Sequence, residues 1–256
     1  MEIFRGRLDK TAVLQIPERE RQLFLSIANL QNEISILLRA VLWSSYNISS
    51  GNEAEAHGQI STSFFFVKIL AGKLKEGWIL LEKGFFIDRV LSRDFRSTAT
   101  PPQVEALDAL KKYFGKTSIL HNVRTNFAFH YSPDELDAVL AAVSDELDLY
   151  IEHGGSANTL YYFAEVLANH AVLKRIDPAD LAVAMQRLHN ETVTVAGQFA
   201  RFGQAFMSYV IKRQGPSIWK GTAIPVSFDK LPSFSEVRFP WFTDTTDGLS
   251  NKKDTT

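Results

Sequence analysis

ERERQLFLSIANLQNEISILLRAVLWSSY, residues 18–46, decides the fold class of this 256-residue chain. Leu23, Ile27, Leu30, Ile34, Leu37, Leu38 and Val41 recur at three- and four-residue spacing, with Arg19, Glu20, Asn29 and Glu33 between them. That period matches one face of an α-helix and not the alternation of a strand. The helix starts just after Pro17 and runs to about Tyr46. A polar stretch, Ser49 to Asn52, separates it from a second amphipathic run over Glu53 to Phe85. There Ile60, Phe64, Val67, Leu70, Leu74, Trp78, Leu81 and Phe85 form the apolar stripe. Two long helices joined by a short turn are expected to pack as an antiparallel pair.

Outward from that pair the pattern stays helical. Thr100-Pro101-Pro102 opens a shorter helix that ends at Gly115, and a further helix is expected from Thr117 to Tyr131. Ser132, Pro133 and Glu135 have the arrangement of an N-cap, a first-turn proline and a capping box, predicting a helix to about Ile151. A sixth helix is expected over Ala157 to Lys174, and a seventh, capped by Asp177-Pro178, to Arg213. After Gly215-Pro216 prolines recur at 225, 232 and 240, and Ile224, Val226 and Phe228 alternate as in a short strand. The expected fold is all-α: an up-down helical bundle over 15–215, with an irregular extension over 216–256 whose last dozen residues are disordered. The tail aromatics Trp219, Phe239, Trp241 and Phe242 are candidates either to cover the bundle or to form a partner surface.

Composition bounds the function. Hydrophobic residues make up 45%, with 19 Phe, which supplies a sizeable core. Twenty-eight basic residues face 29 acidic ones, so the whole chain has no generic attraction for nucleic acid or membrane. The absence of cysteine removes disulfides, thiolate catalysis and cysteine metal sites. Neither a signal-peptide run nor a membrane-length apolar stretch is present, so the expectation is a soluble, cytoplasmic protein with no membrane partner. Phosphate-binding loops, a Gly-x-Ser-x-Gly elbow and Glu-x-x-His pairs are missing, and neither a metal nor another cofactor is expected. His57, His153, His170 and His189 read as solvated or hydrogen-bonded surface residues.

One segment departs from the balance. Between Ala109 and Pro133 there is no Asp or Glu, while Lys111, Lys112, Lys116, His121, Arg124 and His130 all fall there. An anion could be held at such a segment, with phosphate the obvious candidate, presented by RNA or by a small nucleotide. Arg124 followed by polar Thr125, then His130 six positions after the arginine, resembles the motif of the HEPN superfamily. The position after the arginine is often Asn in that family and is Thr125 here, with Asn126 next. The resemblance covers about residues 18–151 and implies a helical bundle, generally dimeric, built on a long antiparallel helix pair. Many members are metal-independent endoribonucleases of toxin–antitoxin, phage-defence or CRISPR-associated systems, and some have lost catalysis and serve as binding or dimerisation modules.

The implied chemistry agrees with the residue types. RNA carries its own nucleophile, the 2′-hydroxyl, so cleavage needs a proton acceptor, a proton donor and a group to stabilise the phosphorane charge. His130 is the candidate acid or base and Arg124 the charge stabiliser. Thr125, Asn126, His121 and Tyr131 are candidate supporting residues, and Lys112, Lys116 and Ser132 candidate phosphate contacts. On an ideal helix six positions place His130 about 120° around from Arg124. Either Arg124 reaches across at an irregular turn, or a second protomer completes the site, and a homodimer is the expected state. The alternative is a non-catalytic binding or dimerisation module, with Arg124 in a surface ion pair and His130, Phe127, Phe129 and Tyr131 in ordinary packing.

Overall fold

The computed structural model describes residues 3–46, 52–125, 133–145, 147–154, 158–221, 224–227, 232–237 and 239–243. Two long helices carry the architecture, α2 (Glu18–Ser44) and α3 (Glu53–Leu80), preceded by a short α1 (Lys10–Gln15). Their stripes meet antiparallel: Ser45 bonds Ser63 across the turn end, Leu30 lies against Gly77, and Leu23 lies against Gly84. A third long helix, α9 (Leu181–Gln214), packs on both and runs opposite to α2. Gln31 of α2 donates to the Phe199 carbonyl at 2.8 Å, while Arg213 at the far end reaches Glu20. The fold is an all-α helical bundle.

Between α3 and α5 (Pro101–Phe114) the chain does something the spacing does not announce. From Leu81 to Phe85 the helix widens to π geometry, then α4 (Arg89–Thr98) begins under an Asp88 side-chain cap. The wider turn brings Phe85 against Phe95 of α4 and Phe202 and Phe206 of α9, with ring centroids 5.2–5.8 Å apart and edges meeting faces. These rings are the centre of the core, and all four are fully buried.

Several boundaries differ from expectation. The helix expected over 117–131 is, within the described residues, α6 (Ile119–Val123), capped by Ser118, with Arg124 and Thr125 in a widened π turn. The helix expected to reach Ile151 is α7 (Pro133–Ala142). Beyond it Leu147, Leu149 and Ile151 are exposed, so no apolar face supports another turn, while Ser144 accepts a turn bond from Leu147. Instead β2 (Glu152–His153) pairs antiparallel with β3 (Thr159–Leu160), which delays α8 to Tyr162–Ile176. Asp177 caps only the intervening turn, and Asp180, accepting from Ala182 and Val183, is the N-cap of α9.

The tail folds back on the bundle. In it β4 (Ile224–Val226) pairs antiparallel with β1 (Ile3–Arg5), with Ile3 opposite Val226. Phe234 and Phe239 pack on Trp43, Phe239 also on Phe66, and Trp241 lies against Gly58. Asn158 exchanges two hydrogen bonds with the Thr243 backbone, of 2.7 and 2.9 Å. These tail aromatics therefore cover the bundle. The segment 244–256 lies outside the described residues.

Gly203 on α9 lies under the Gln31 side chain of α2, which a Cβ there would overlap. Gly203→Ala must expel that side chain and break its bond to Phe199, with an expected loss of about 1–3 kcal/mol in urea unfolding. Gly197, on the same helix with open space around it, should accept Ala with no loss. Equal effects at the two positions would refute the contact of Gln31 with Gly203.

Candidate functional site

Of the candidate residues, Arg124, Thr125, His121, Lys112 and Lys116 are described, whereas Asn126, His130, Tyr131 and Ser132 lie outside the described residues. Arg124 stands at the C-cap of α6, where its backbone N–H bonds the carbonyls of Leu120 and His121. Its guanidinium is not surrounded by cations alone, as the local sequence suggested. Glu76 reaches over from α3, and one carboxylate oxygen takes both Nε, at 2.8 Å, and Nη2, at 2.7 Å. With 37% of its side chain exposed, Arg124 is held in orientation while still open to solvent. Thr125, next in the widened turn, is exposed.

The positive residues of this segment, with Lys75 of α3, sort into two kinds. Lys112 and Lys116 extend into solvent, and His121 is half-buried, its backbone N–H bonded to the Ser118 hydroxyl. Lys75 and Lys111 lie over aromatic rings, Lys75 above Phe114 at 5.5 Å and Lys111 above Phe86 at 5.9 Å. Lys111 also lines a cleft of about 600 Å³ bounded by Trp78, Phe86, Ser92 and the Arg96–Asp108 ion pair. The hydrogen bond from Arg96 holds the Asp108 carboxyl below its ordinary range. Trp78 is buried at that wall, stacked on Phe114, and its indole N–H has no partner among the described residues. Glu82 also lines this cleft, so that with Asp108 it balances Lys111 and Arg96 in charge.

A second cluster has no counterpart in the sequence reading. Glu20 looks like a solvent-face residue of α2, yet it is only 6% exposed. Its Oε2 lies 3.3 Å from Arg213 Nη1, and its Oε1 is buried with no hydrogen-bond partner among the described residues. Arg213 also donates to the Tyr209 hydroxyl at 2.8 Å, and that hydroxyl donates to Asp94 at 2.5 Å. Burial raises the Glu20 carboxyl above its ordinary value, Arg213 opposes that shift, and the charges of Asp88 and Asp94 add to it. Burial and the bond to Asp94 push the Tyr209 hydroxyl up to about 12. No group of three or more acidic or histidine side chains arranged to hold a metal occurs among the described residues.

His57 has a defined structural task. Its Nδ1 lies 2.9 Å from Glu152, and its ring stacks on Tyr162 with centroids 3.7 Å apart. It thereby fastens the β2–β3 hairpin to α3. Among the described residues no helix is long and apolar enough to cross a membrane. No family model, curated protein or solved structure matches the chain.

Proposed function

We propose that this protein acts on RNA as a HEPN-like, metal-independent endoribonuclease, with Arg124 stabilising phosphorane charge and His130 transferring the proton. The observation that carries the reading is the presentation of Arg124. Its guanidinium is aimed by a single carboxylate oxygen from a neighbouring helix, sits at a widened helical turn and remains over a third exposed. The exposed lysines that precede it in the sequence add to it. Lys111, Lys112 and Lys116 offer exposed charge along the last turn of α5 and the loop after it. A second protomer, paired about a two-fold axis, would supply a second His130, so that one histidine accepts and the other donates.

The test is cleavage of mixed single-stranded RNAs in EDTA, with the ends analysed for 2′,3′-cyclic phosphate. His130→Ala and Arg124→Ala should each reduce the rate by about 10²–10⁴-fold with the helical signal intact. Undiminished cleavage in either variant would remove the assignment, and so would RNA left intact by the parent protein.

A second reading is favoured by the same ion pair. An arginine already satisfied by Glu76 also suits a non-catalytic binding or dimerisation module. In that case RNA stays intact, and Arg124→Ala changes self-association, measured by sedimentation, instead of turnover.

A further inference from the structure

We propose that the ribbon formed by the N-terminal strand and the chain after α9 is a docking surface for single-stranded RNA, with Arg5, Arg7 and Lys220 meeting phosphates and Trp219 a base. Beyond the β1–β4 pairs, Leu8 stands opposite Trp219 in the same antiparallel sense. On either side of that pair the Lys220 N–H donates to the Arg7 carbonyl and the Asp9 N–H to the Ile218 carbonyl, both at 2.7 Å. Arg7 and Lys220 are thereby directly opposite each other across the ribbon. Like charges in that relation repel. An anion set between them turns the repulsion into two charge-assisted contacts.

Nothing within the chain answers these charges. Arg5, Arg7, Lys10 and Lys220 are exposed, and none has an ion pair among the described residues. Over 3–10 and 215–221 the acid is Asp9, whose carboxylate is occupied as the N-cap of α1, accepting from Ala12. Four cations thus stand with one engaged acid, in a chain whose net charge is -1. Their field is local, and it draws an anionic partner to this ribbon.

Trp219 selects among anionic partners. It precedes Lys220 and lies against Gly6, the residue between Arg5 and Arg7, where a Cβ would overlap the indole. Bare backbone at Gly6 seats the ring, and 41% of the residue stays in water. Cations beside an exposed, seated aromatic ring suit a polymer of phosphates and flat bases. A compact inorganic anion would use the charges alone, and a double helix keeps the faces of its bases stacked inside. The choice of RNA among single strands rests on the function proposed above, whereas the ribbon shares no residue with the Arg124 site.

Fluorescence anisotropy of the full chain with a labelled single-stranded 2′-O-methyl oligoribonucleotide tests it, since that probe lacks the nucleophile and stays uncut. Arg7→Gln combined with Lys220→Gln should weaken binding about tenfold or more and lower the slope of log affinity against log salt by about 1.4, the loss of two phosphate contacts. Trp219→Ala should weaken binding about fivefold or more at an unchanged slope, and Trp219→Phe, which keeps a ring, should recover most of it. Arg187→Gln, an exposed charge on α9, should bind like the parent. The double glutamine variant should melt at or above the parent's temperature, because a repulsion has been removed, so that lost binding is not lost folding. Unchanged affinity in that variant, a lower melting temperature, or a parent that does not bind the probe overturns the proposal. Tighter binding of the same sequence as a duplex overturns the single-strand assignment, and tighter binding to phosphatidylserine vesicles overturns it in favour of a membrane. Ribbon-dependent binding by a parent that cuts no RNA leaves this inference standing and removes the endoribonuclease. Cleavage by a parent whose binding ignores the ribbon does the reverse.

Discussion

Phe85→Ala is expected to lose about 3–5 kcal/mol of folding stability, a large part of the 5–15 kcal/mol typical of a folded domain. The ring is fully buried and is the meeting point of three elements: the π turn it belongs to, α4 through Phe95, and α9 through Phe202 and Phe206. Removing it takes away apolar burial and several edge-to-face contacts together. The cavity cannot close easily, because its walls are pinned from outside. Asp88 caps α4, and Asp94 at the middle of α4 accepts from Tyr209 on α9. Urea unfolding should show a lower midpoint at an unchanged slope. Phe65→Ala, on the exposed side of α3, should stay within about 0.5 kcal/mol of the parent. A loss below 1 kcal/mol at Phe85 would mean that the π turn does not key these helices together.

Arg213→Ala should be the most damaging charge change, at about 2–3 kcal/mol near neutral pH. The full penalty for stranding a buried charge is discounted here, since Arg213 is itself 42% exposed. The loss comes less from the ion pair than from what stays behind, a buried Glu20 with neither oxygen answered. Glu20→Gln in the same background should therefore recover most of it, and the double-mutant cycle measures the coupling. The pH dependence has a defined sign. The Glu20 carboxyl is raised from an ordinary value of 4.5, so above that value the folded state holds a proton the unfolded state has released. Its stabilising contribution is complete below 4.5 and is lost as pH rises through the raised folded value. Because Arg213 lowers the folded value, Arg213→Ala should extend this decline to higher pH, and Glu20→Gln should abolish it. A pH profile identical in parent and Glu20→Gln would contradict the burial of the charge.

The long elements were legible because each carries its own evidence. Leu23 to Val41 and Phe64 to Phe85 repeat their apolar spacing over many turns, and the Pro101 start and Gly115 stop frame α5. Helix α4 has only Leu91 and Phe95 to bury, and β1 to β4 are two or three residues long, too short for a period to show. The polar clusters were hidden for a different reason. Nothing adjacent to Glu20 marks it as buried, since its cover is Arg213 on the far end of α9 and the chain around Asp88. Likewise the carboxylate-free run around Arg124 is real along the chain and untrue in space, where Glu76 enters from α3. Local spacing reports which way a residue points, and only the crossing of distant helices reports what it meets.

The pairing of β1 with β4 has a consequence for how the chain is made. Ile3 waits for Val226, and Asp9 bonds Ile218, so the first strand emerges from the ribosome long before its partner exists. At roughly 5–20 residues per second that interval is about 10–40 s, in which α2 and α3 can close as a hairpin of nearby segments. α2 also packs against α9, so that contact is missing from the nascent pair until the third long helix arrives. Vectorial synthesis thus makes the completion of the three-helix core, and the closing of the β1–β4 ribbon, wait on translation of the last third of the chain.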